Sequence, residues 1–230
     1  MSVSRRNFLK TSGALIVTFA LAPEAAFSQR LDGASSNQLD GWLSINADGS
    51  VTAYTGKCEL GHGLYTAQTQ LVAEELSVPF NRVKLIQCDT ALTPDQGTTS
   101  GAQSHPTNFN QGALALAGAT AREALLQMAS TRLSMPADQL VIKDGVISAK
   151  SDASKKVSYA ELVGGKKFNL TLNPKAKRKN PSEWTILGTP VPRVEIPAMA
   201  TGEFEYVHNV RLPGMLYGQV VRPPAVGSTV

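Results

Sequence analysis

Apolar and polar residues alternate over 42–47 and again over 50–55, with Asp48-Gly49 between the two runs. A period of two half-buries a strand, and Asp-Gly suits a type I′ turn, so this stretch predicts a β-hairpin. Beyond Gly61 and Gly63 the period lengthens. Leu64, Ala67, Leu71, Val72 and Leu76 recur at helical spacing, predicting a helix over 64–77 that Pro79 ends. Residues 83–87 predict a third strand. Residues 89–107 are polar and aperiodic, and a loop of that length inside a compact domain is either functional or disordered. Leu114, Ala117, Ala121, Leu125 and Met128 then line one face of a second helix predicted over 108–132.

The pattern changes after Met135-Pro136. A second Asp-Gly hairpin is predicted around Asp144-Gly145, a short helix over 158–163 and a strand over 167–172. The basic run Lys175-Ala-Lys177-Arg178-Lys179 reads as a solvated loop. Prolines 190, 192 and 197 suggest an extended linker over 188–197. Strands are predicted over 203–207 and 216–221, around a Pro213-Gly214 turn. No internal repeat occurs. The expected fold class is α+β: a small mixed sheet with two flanking helices over 40–135, a hairpin and linker region over 136–200, and the start of a further domain over 201–230.

Ser4-Arg5-Arg6-Asn7-Phe8-Leu9-Lys10 fits a twin-arginine export signal; an apolar run over 14–22 and the small-x-small site Ala26-Phe27-Ser28 complete a leader over 1–28. That run is well short of the ~20 residues of a spanning helix, so no permanent membrane span is expected. Residues 29–39 read as a flexible lead-in. The expected location is the periplasm, and export of an already folded chain points to a cofactor loaded beforehand. The chain's 22 Lys and Arg against 18 Asp and Glu give +4; the leader holds three bases and one acid, so its loss leaves +2. That balance does not favour nucleic acid. Two cysteines, Cys58 and Cys88, are too few for a disulfide scaffold or an iron–sulfur cluster, and a buried free thiol is the commoner role for each.

Two segments could carry chemistry. The first runs from Tyr54 to Thr66, with Gly61-His62-Gly63 at its strand-to-helix junction, where glycines allow close backbone approach and helix N–H groups attract anions such as phosphate. A tight turn without a ligand fits that pattern equally well, and the third glycine of a dinucleotide fingerprint is absent. The second, the loop from Thr93 to Ser104 ending in Thr99-Ser100-Gly101-Ala102-Gln103-Ser104, offers hydroxyls and amides ahead of the second helix, a donor-rich cradle or a plain surface loop.

Together with Asp48-Gly49-Ser50-Val51, Thr55-Gly56-Lys57-x-Glu59-Leu60, Val72-Ala73-Glu74-Glu75-Leu76 and Asp89-Thr90-x-x-Thr93-Pro94, these segments resemble the molybdopterin-binding part of the xanthine dehydrogenase/aldehyde oxidase family. The exported branch typified by the large (beta) subunit of isoquinoline 1-oxidoreductase and by the nicotinate dehydrogenases is the most similar. Val157-Ser158-Tyr159-x-Glu161-Leu162 and Gly188-x-Pro190-Val191-Pro192-Arg193 extend the likeness. Tyr206-Val207, Pro213-Gly214-Met215-Leu216 and Val221-Arg222-Pro223-Pro224 resemble the opening of the family's α/β hammerhead domain.

The resemblance implies an oxidoreductase that inserts water-derived oxygen into an aldehyde or N-heteroaromatic. It implies a molybdopterin cofactor with molybdenum, in bacteria commonly the cytosine dinucleotide form. Electrons would pass to [2Fe-2S] clusters on a separate small subunit, and from there to a cytochrome or another carrier. By that likeness Gly61, His62 and Gly63 would approach the cofactor, with His62 standing where many members have glutamine, and Thr99, Ser100, Gly101, Ala102, Gln103 and Ser104 would wrap it. The family's catalytic glutamate lies beyond position 230, so no catalytic residue and no metal ligand is assigned. The chain is expected to be an N-terminal fragment that, alone, lacks molybdenum and activity. Competing readings are an exported binding or assembly protein, and a zinc site from Cys58, His62, Cys88 and His105.

Overall fold

The computed structural model describes residues 37–100, 113–221 and 225. The leader expected over 1–28 lies outside the described residues. The structure is mixed α+β with two three-stranded sheets. The first hairpin forms from β1 (Leu43–Ile45) and β2 (Val51–Thr55), paired antiparallel. Its turn differs from the type I′ expectation. Among the non-glycine residues at positive φ Asp48 is absent, while Gly49 sits at φ 77° and donates its N–H to the Asn46 carbonyl. This is the three-residue arrangement in which a glycine in the left-handed region follows a type I turn. Asp48 is held there because its carboxylate accepts both the N–H and the hydroxyl of Ser50.

Helix α1 (Leu64–Leu76) carries the chain from β2 to β3 (Val83–Gln87), which pairs parallel to β2 and completes the order β1-β2-β3. Helix α2 (Ala113–Leu133) packs against α1; the part predicted over 108–112 lies outside the described residues. At the contact a Cβ added to Gly118 would lie 2.8 Å from the Glu75 Cβ, so the two helices meet closely. The second sheet is an antiparallel meander of β4 (Leu140–Lys143), β5 (Val146–Ala149) and β6 (Lys156–Ser158). Here the Asp-Gly signal does give a two-residue turn, with φ 54° at Asp144 and 75° at Gly145. β6 was not expected. It leads into the short helix α3 (Tyr159–Leu162), whose start is a capping box between Ser158 and Glu161.

One apolar core joins both sheets. Leu43, Ile45, Val51 and Ala53 of the first hairpin, Leu71, Val72 and Leu76 of α1, Leu114, Ala117, Ala121 and Leu125 of α2, and Ile147 and Val157 of the meander are all buried in it. Tyr159 is buried with them and spends its hydroxyl on the Leu76 carbonyl at 2.7 Å. The strand predicted over 167–172 is reduced to one bridge, Thr171 opposite Gln38.

The chain divides into two units, through Pro192 and from Arg193. The second contains helix α4 (Ile196–Thr201) and a 3-10 turn at Val207–Asn209. The strands predicted over 203–207 and 216–221 do not form. Strand character needs a partner, and the described residues offer these segments none: Val207, Leu216 and Val221 are more than 90% exposed. The hammerhead opening is therefore not seen as strands. His208 is exposed, its ring stacked on Tyr206.

Candidate functional site

The end of β2 and the loop after β3 are sewn together by side chains. Gln96 Oε1 accepts the Thr55 hydroxyl at 2.8 Å and the Gly56 N–H at 2.7 Å. Lys57 Nζ donates to the Thr98 carbonyl at 2.6 Å, and the Cys58 N–H donates to the Thr99 hydroxyl oxygen at 3.0 Å. Gly56 permits this, since a Cβ there would lie 2.2 Å from the Pro94 carbonyl oxygen. Thr55 extends the network inward: its hydroxyl oxygen also accepts Gln68 Nε2 of α1, and Gln68 Oε1 accepts Gln87 Nε2 of β3. A disulfide between Cys58 and Cys88, with Cα atoms 5.7 Å apart, closes the same junction covalently. The free-thiol expectation is thus corrected. The two cysteines were too few for a scaffold but sit at the ends of adjacent parallel strands, which is where a single bridge can form. Both sulfurs being bonded to each other, the zinc set does not assemble; His105 lies outside the described residues.

The stitching brings Thr99 and Ser100 to the strand exit just ahead of the glycine turn. Of the proposed cradle, Gly101, Ala102, Gln103 and Ser104 lie outside the described residues. In the turn, Gly61 (φ 94°) is exposed with nothing within 4 Å of where a Cβ would stand, and Gly63 (φ 79°) is the residue ahead of α1. The N–H groups of Gly61, Gly63 and Tyr65 at the helix start are already taken by the chain itself, contrary to the simplest reading of the sequence. Glu59 Oε1 accepts the N–H groups of Gly61 at 2.7 Å and Gly63 at 2.9 Å, and Oε2 accepts that of Tyr65 at 2.9 Å. A carboxylate from the chain itself takes the favourable place at the positive end of the helix.

Burial alone would raise the Glu59 carboxyl; the N–H donors of Tyr65 and Gly63, the His62 ring and the Gly61 N–H outweigh it and hold the group at about 2. His62 Nδ1 lies 3.2 Å from Glu59 Oε1 and 3.2 Å from the Leu60 nitrogen. An amide N–H only donates and a carboxylate only accepts, so these contacts are alternatives at one nitrogen. A bare Nδ1 accepts the Leu60 N–H, and a protonated Nδ1 donates to Glu59.

Glu74 and Glu75 at the end of α1 are fully buried. Glu74 Oε2 accepts three backbone N–H groups, from Thr185 (2.8 Å), Ile186 (2.6 Å) and Leu187 (3.1 Å), and Oε1 accepts Lys179 Nζ at 3.0 Å. Burial raises the Glu74 carboxyl, but the Ile186 N–H, Lys179 and the remaining donors carry it below its ordinary value. Glu75 accepts Arg178 Nε at 3.0 Å on one oxygen and is bonded by Arg122 on the other. The basic run expected to be solvated therefore neutralises buried carboxylates and straps 178–187 along α1. Nothing local signalled this, because the partners are about a hundred positions apart. The pattern gave no role to Gln68 or Gln87; Lys57 and Gln96 fell within the polar segments around the glycines without a role of their own.

Among the described residues no helix is long and apolar enough to cross a membrane. The molybdopterin cofactor-binding domain family matches residues 8–208 of this chain. A nicotinate dehydrogenase component from Pseudomonas putida is 36% identical over 226 residues, covering 97% of this chain and 19% of that protein. The beta component of isoquinoline 1-oxidoreductase from Brevundimonas diminuta is 29% identical over 269 residues, covering 98% of this chain and 34% of that protein. Among solved structures, the quinoline 2-oxidoreductase of Pseudomonas putida 86 is 27% identical, with a TM-score of 0.45 over 52% of this chain and 15% of the other. The chain thus spans a minor part of the relatives it matches.

Proposed function

The chain belongs to the molybdopterin cofactor-binding domain family, and from that premise we propose that it supplies one wall of the cofactor site in an exported molybdenum hydroxylase. The observation that carries this is the junction of 55–58 with 96–99, which sets the glycine turn and the start of the Thr99–Ser104 segment at one place. Its chemistry fits a polar, anionic ligand. The open backbone at Gly61 leaves room for close approach. The Thr99 hydroxyl, whose oxygen already takes the Cys58 N–H, keeps a proton to donate. Lys57 brings a cation to the neighbouring Thr98 carbonyl.

When bound, the molybdenum–pterin group would supply the two-electron oxidation of substrate carbon; this segment would supply placement, hydrogen bonds and exclusion of water. Gly61, His62 and Gly63 would face the cofactor, and Thr99, Ser100, Gly101, Ala102, Gln103 and Ser104 would wrap it. The glycine turn would do so as a shaped backbone edge, since Glu59 already occupies its N–H groups. The cofactor is proposed in its cytosine dinucleotide form. An N-heteroaromatic is the favoured substrate class over an aldehyde, following the names of the two relatives that cover nearly all of the chain. A small iron–sulfur subunit would take the electrons and pass them to a cytochrome or another carrier. Periplasmic location is supported by the leader and by the disulfide, which persists in an oxidising compartment.

The test is to recover the native polypeptide with an antibody against 140–180 and analyse it for molybdenum, pterin and co-purifying iron. Stoichiometric molybdenum with an iron–sulfur partner is the expected result. Native protein free of both molybdenum and pterin would refute the reading.

A further inference from the structure

Among the described residues the buried carboxylates each meet a counter-charge, whereas one buried cation does not. Glu74 has Lys179, Glu75 has Arg122 and Arg178, and Glu195 has Arg193. Lys57 is only 6% exposed, yet it takes part in none of the ion pairs among the described residues. Among the described residues its ammonium has one acceptor, the neutral Thr98 carbonyl at 2.6 Å. An ammonium carries three donors and is expensive to strip of water unless a counter-charge meets it. A link to a lone carbonyl would be made as well by a neutral donor, so tying the loop does not explain the charge.

Its position supplies a reason. Lys57 lies between the two contacts that fix the loop, Gly56 to Gln96 and Cys58 to Thr99. The buried cation is held at the Thr98 carbonyl, and the next residue along the strip, Thr99, carries a hydroxyl with a proton to donate. We propose that Lys57 is an anion-seating residue, whose ammonium, with the Thr99 hydroxyl, receives an anionic oxygen of phosphate type from the ligand of this site. The inference rests on the reading that the site holds the pterin cofactor, whose phosphate is such an anion. In the ligand-free chain the charge costs stability; with the anion in place it contributes affinity.

The two roles predict opposite results for Lys57→Met, which keeps the length of the side chain and removes the charge. Inorganic pyrophosphate is the probe, titrated calorimetrically into the 230-residue chain at constant ionic strength, beside thermal unfolding without ligand. The expected outcome is saturable binding to the parent chain, at least about tenfold weaker in Lys57→Met, the scale of one charge-assisted hydrogen bond. The ligand-free Tm of the variant should be equal or higher. Unchanged pyrophosphate affinity would overturn the proposal, as would a parent chain that binds no pyrophosphate, or a Tm that falls while affinity holds. Should the variant fail to fold, the parent chain decides through acetylation rates read by mass spectrometry. Pyrophosphate should slow acetylation of Lys57 and leave the exposed Lys143 and Lys156 as controls; equal rates at all three would sink the idea. Molybdenum and pterin in the native protein would stand regardless, so failure here is distinguishable from failure of the cofactor reading.

Discussion

Replacing Glu59 by glutamine preserves the shape of the side chain and removes its charge. The carboxylate now serves Gly61 and Gly63 with one oxygen and Tyr65 with the other. A glutamine has a single oxygen, so its NH2 must face an N–H on one side. The magnitude can be bounded. The carboxyl is held at about 2 against an ordinary 4.5, and a gap of roughly 2.5 pH units at about 1.36 kcal/mol each sets a ceiling of about 3.4 kcal/mol. The common loss at a helix start, about 1 kcal/mol, sets the floor. About 2 kcal/mol at pH 7 is the expected loss, below the ceiling because the group is partly open to solvent.

The pH dependence is the sharper part of the test. The folded value lies below the unfolded one, so the stabilisation is complete above pH 4.5 and drains away as the pH falls toward 2. Of the ceiling, about 1.4 kcal/mol survives at pH 3 and about 0.4 at pH 2. Urea unfolding followed by circular dichroism, on parent and Glu59→Gln at pH 7 and pH 3, reads this directly, because the other carboxyl groups cancel in the difference. The gap between the two proteins should shrink from about 2 to under about 1 kcal/mol. A variant within about 0.5 kcal/mol of the parent at pH 7, or a gap that does not change with pH, would refute the assignment of Glu59 as the internal ligand of the helix start.

Three further changes probe the supports. Opening the Cys58–Cys88 bridge, which spans 30 positions, by double replacement with serine should cost about 3.5 kcal/mol from loop entropy; a Tm that reductant leaves unmoved would contradict it. Glu75→Ala strands the Arg122 and Arg178 guanidinium groups in a buried place and should cost about 3–5 kcal/mol. Trypsin should then cut faster after Arg178, and a loss below about 1 kcal/mol would argue against the strap. Gly118→Ala gains about 1 kcal/mol of helix propensity but drives a methyl to 2.8 Å from the Glu75 Cβ, so a net loss of about 1–2 kcal/mol is expected from denaturant unfolding. A stabilised variant would show that α1 and α2 can separate freely there.

The parts of this fold legible in the sequence are those whose causes are local. Both Asp-Gly hairpins and both long helices follow from the spacing of apolar residues, and even the helix end at Leu76 falls within a residue of expectation. Turn type was harder, since Asp48 is governed by a side-chain bond to Ser50 rather than by its dipeptide. Partnerships across the chain left no trace. Lys175 to Lys179 looks solvated by composition, and only the fold reveals the carboxylates of α1 under Arg178 and Lys179. The residues of 216–221 have every strand propensity and no strand, because pairing is a property of two segments. At the candidate site the glycines were found by pattern, whereas the roles of Lys57, Gln68 and Gln96 were not, each being defined by a partner about 13 to 41 positions away.

These non-local supports share a consequence for ligand binding. The glycine turn is shaped by Glu59, the loop beside it by Gln96, Lys57 and Thr99, and the base of both by a disulfide, all within the ligand-free chain. A site ordered in advance spares the ligand the entropy of organising it, so affinity depends on contacts rather than on folding. Two kinds of charge in this wall differ accordingly. Glu59, Glu74 and Glu75 are complete without a ligand and hold the wall in place. Lys57 has no counter-charge among the described residues, and the energy that the wall's other bonds supply is what keeps that cation buried.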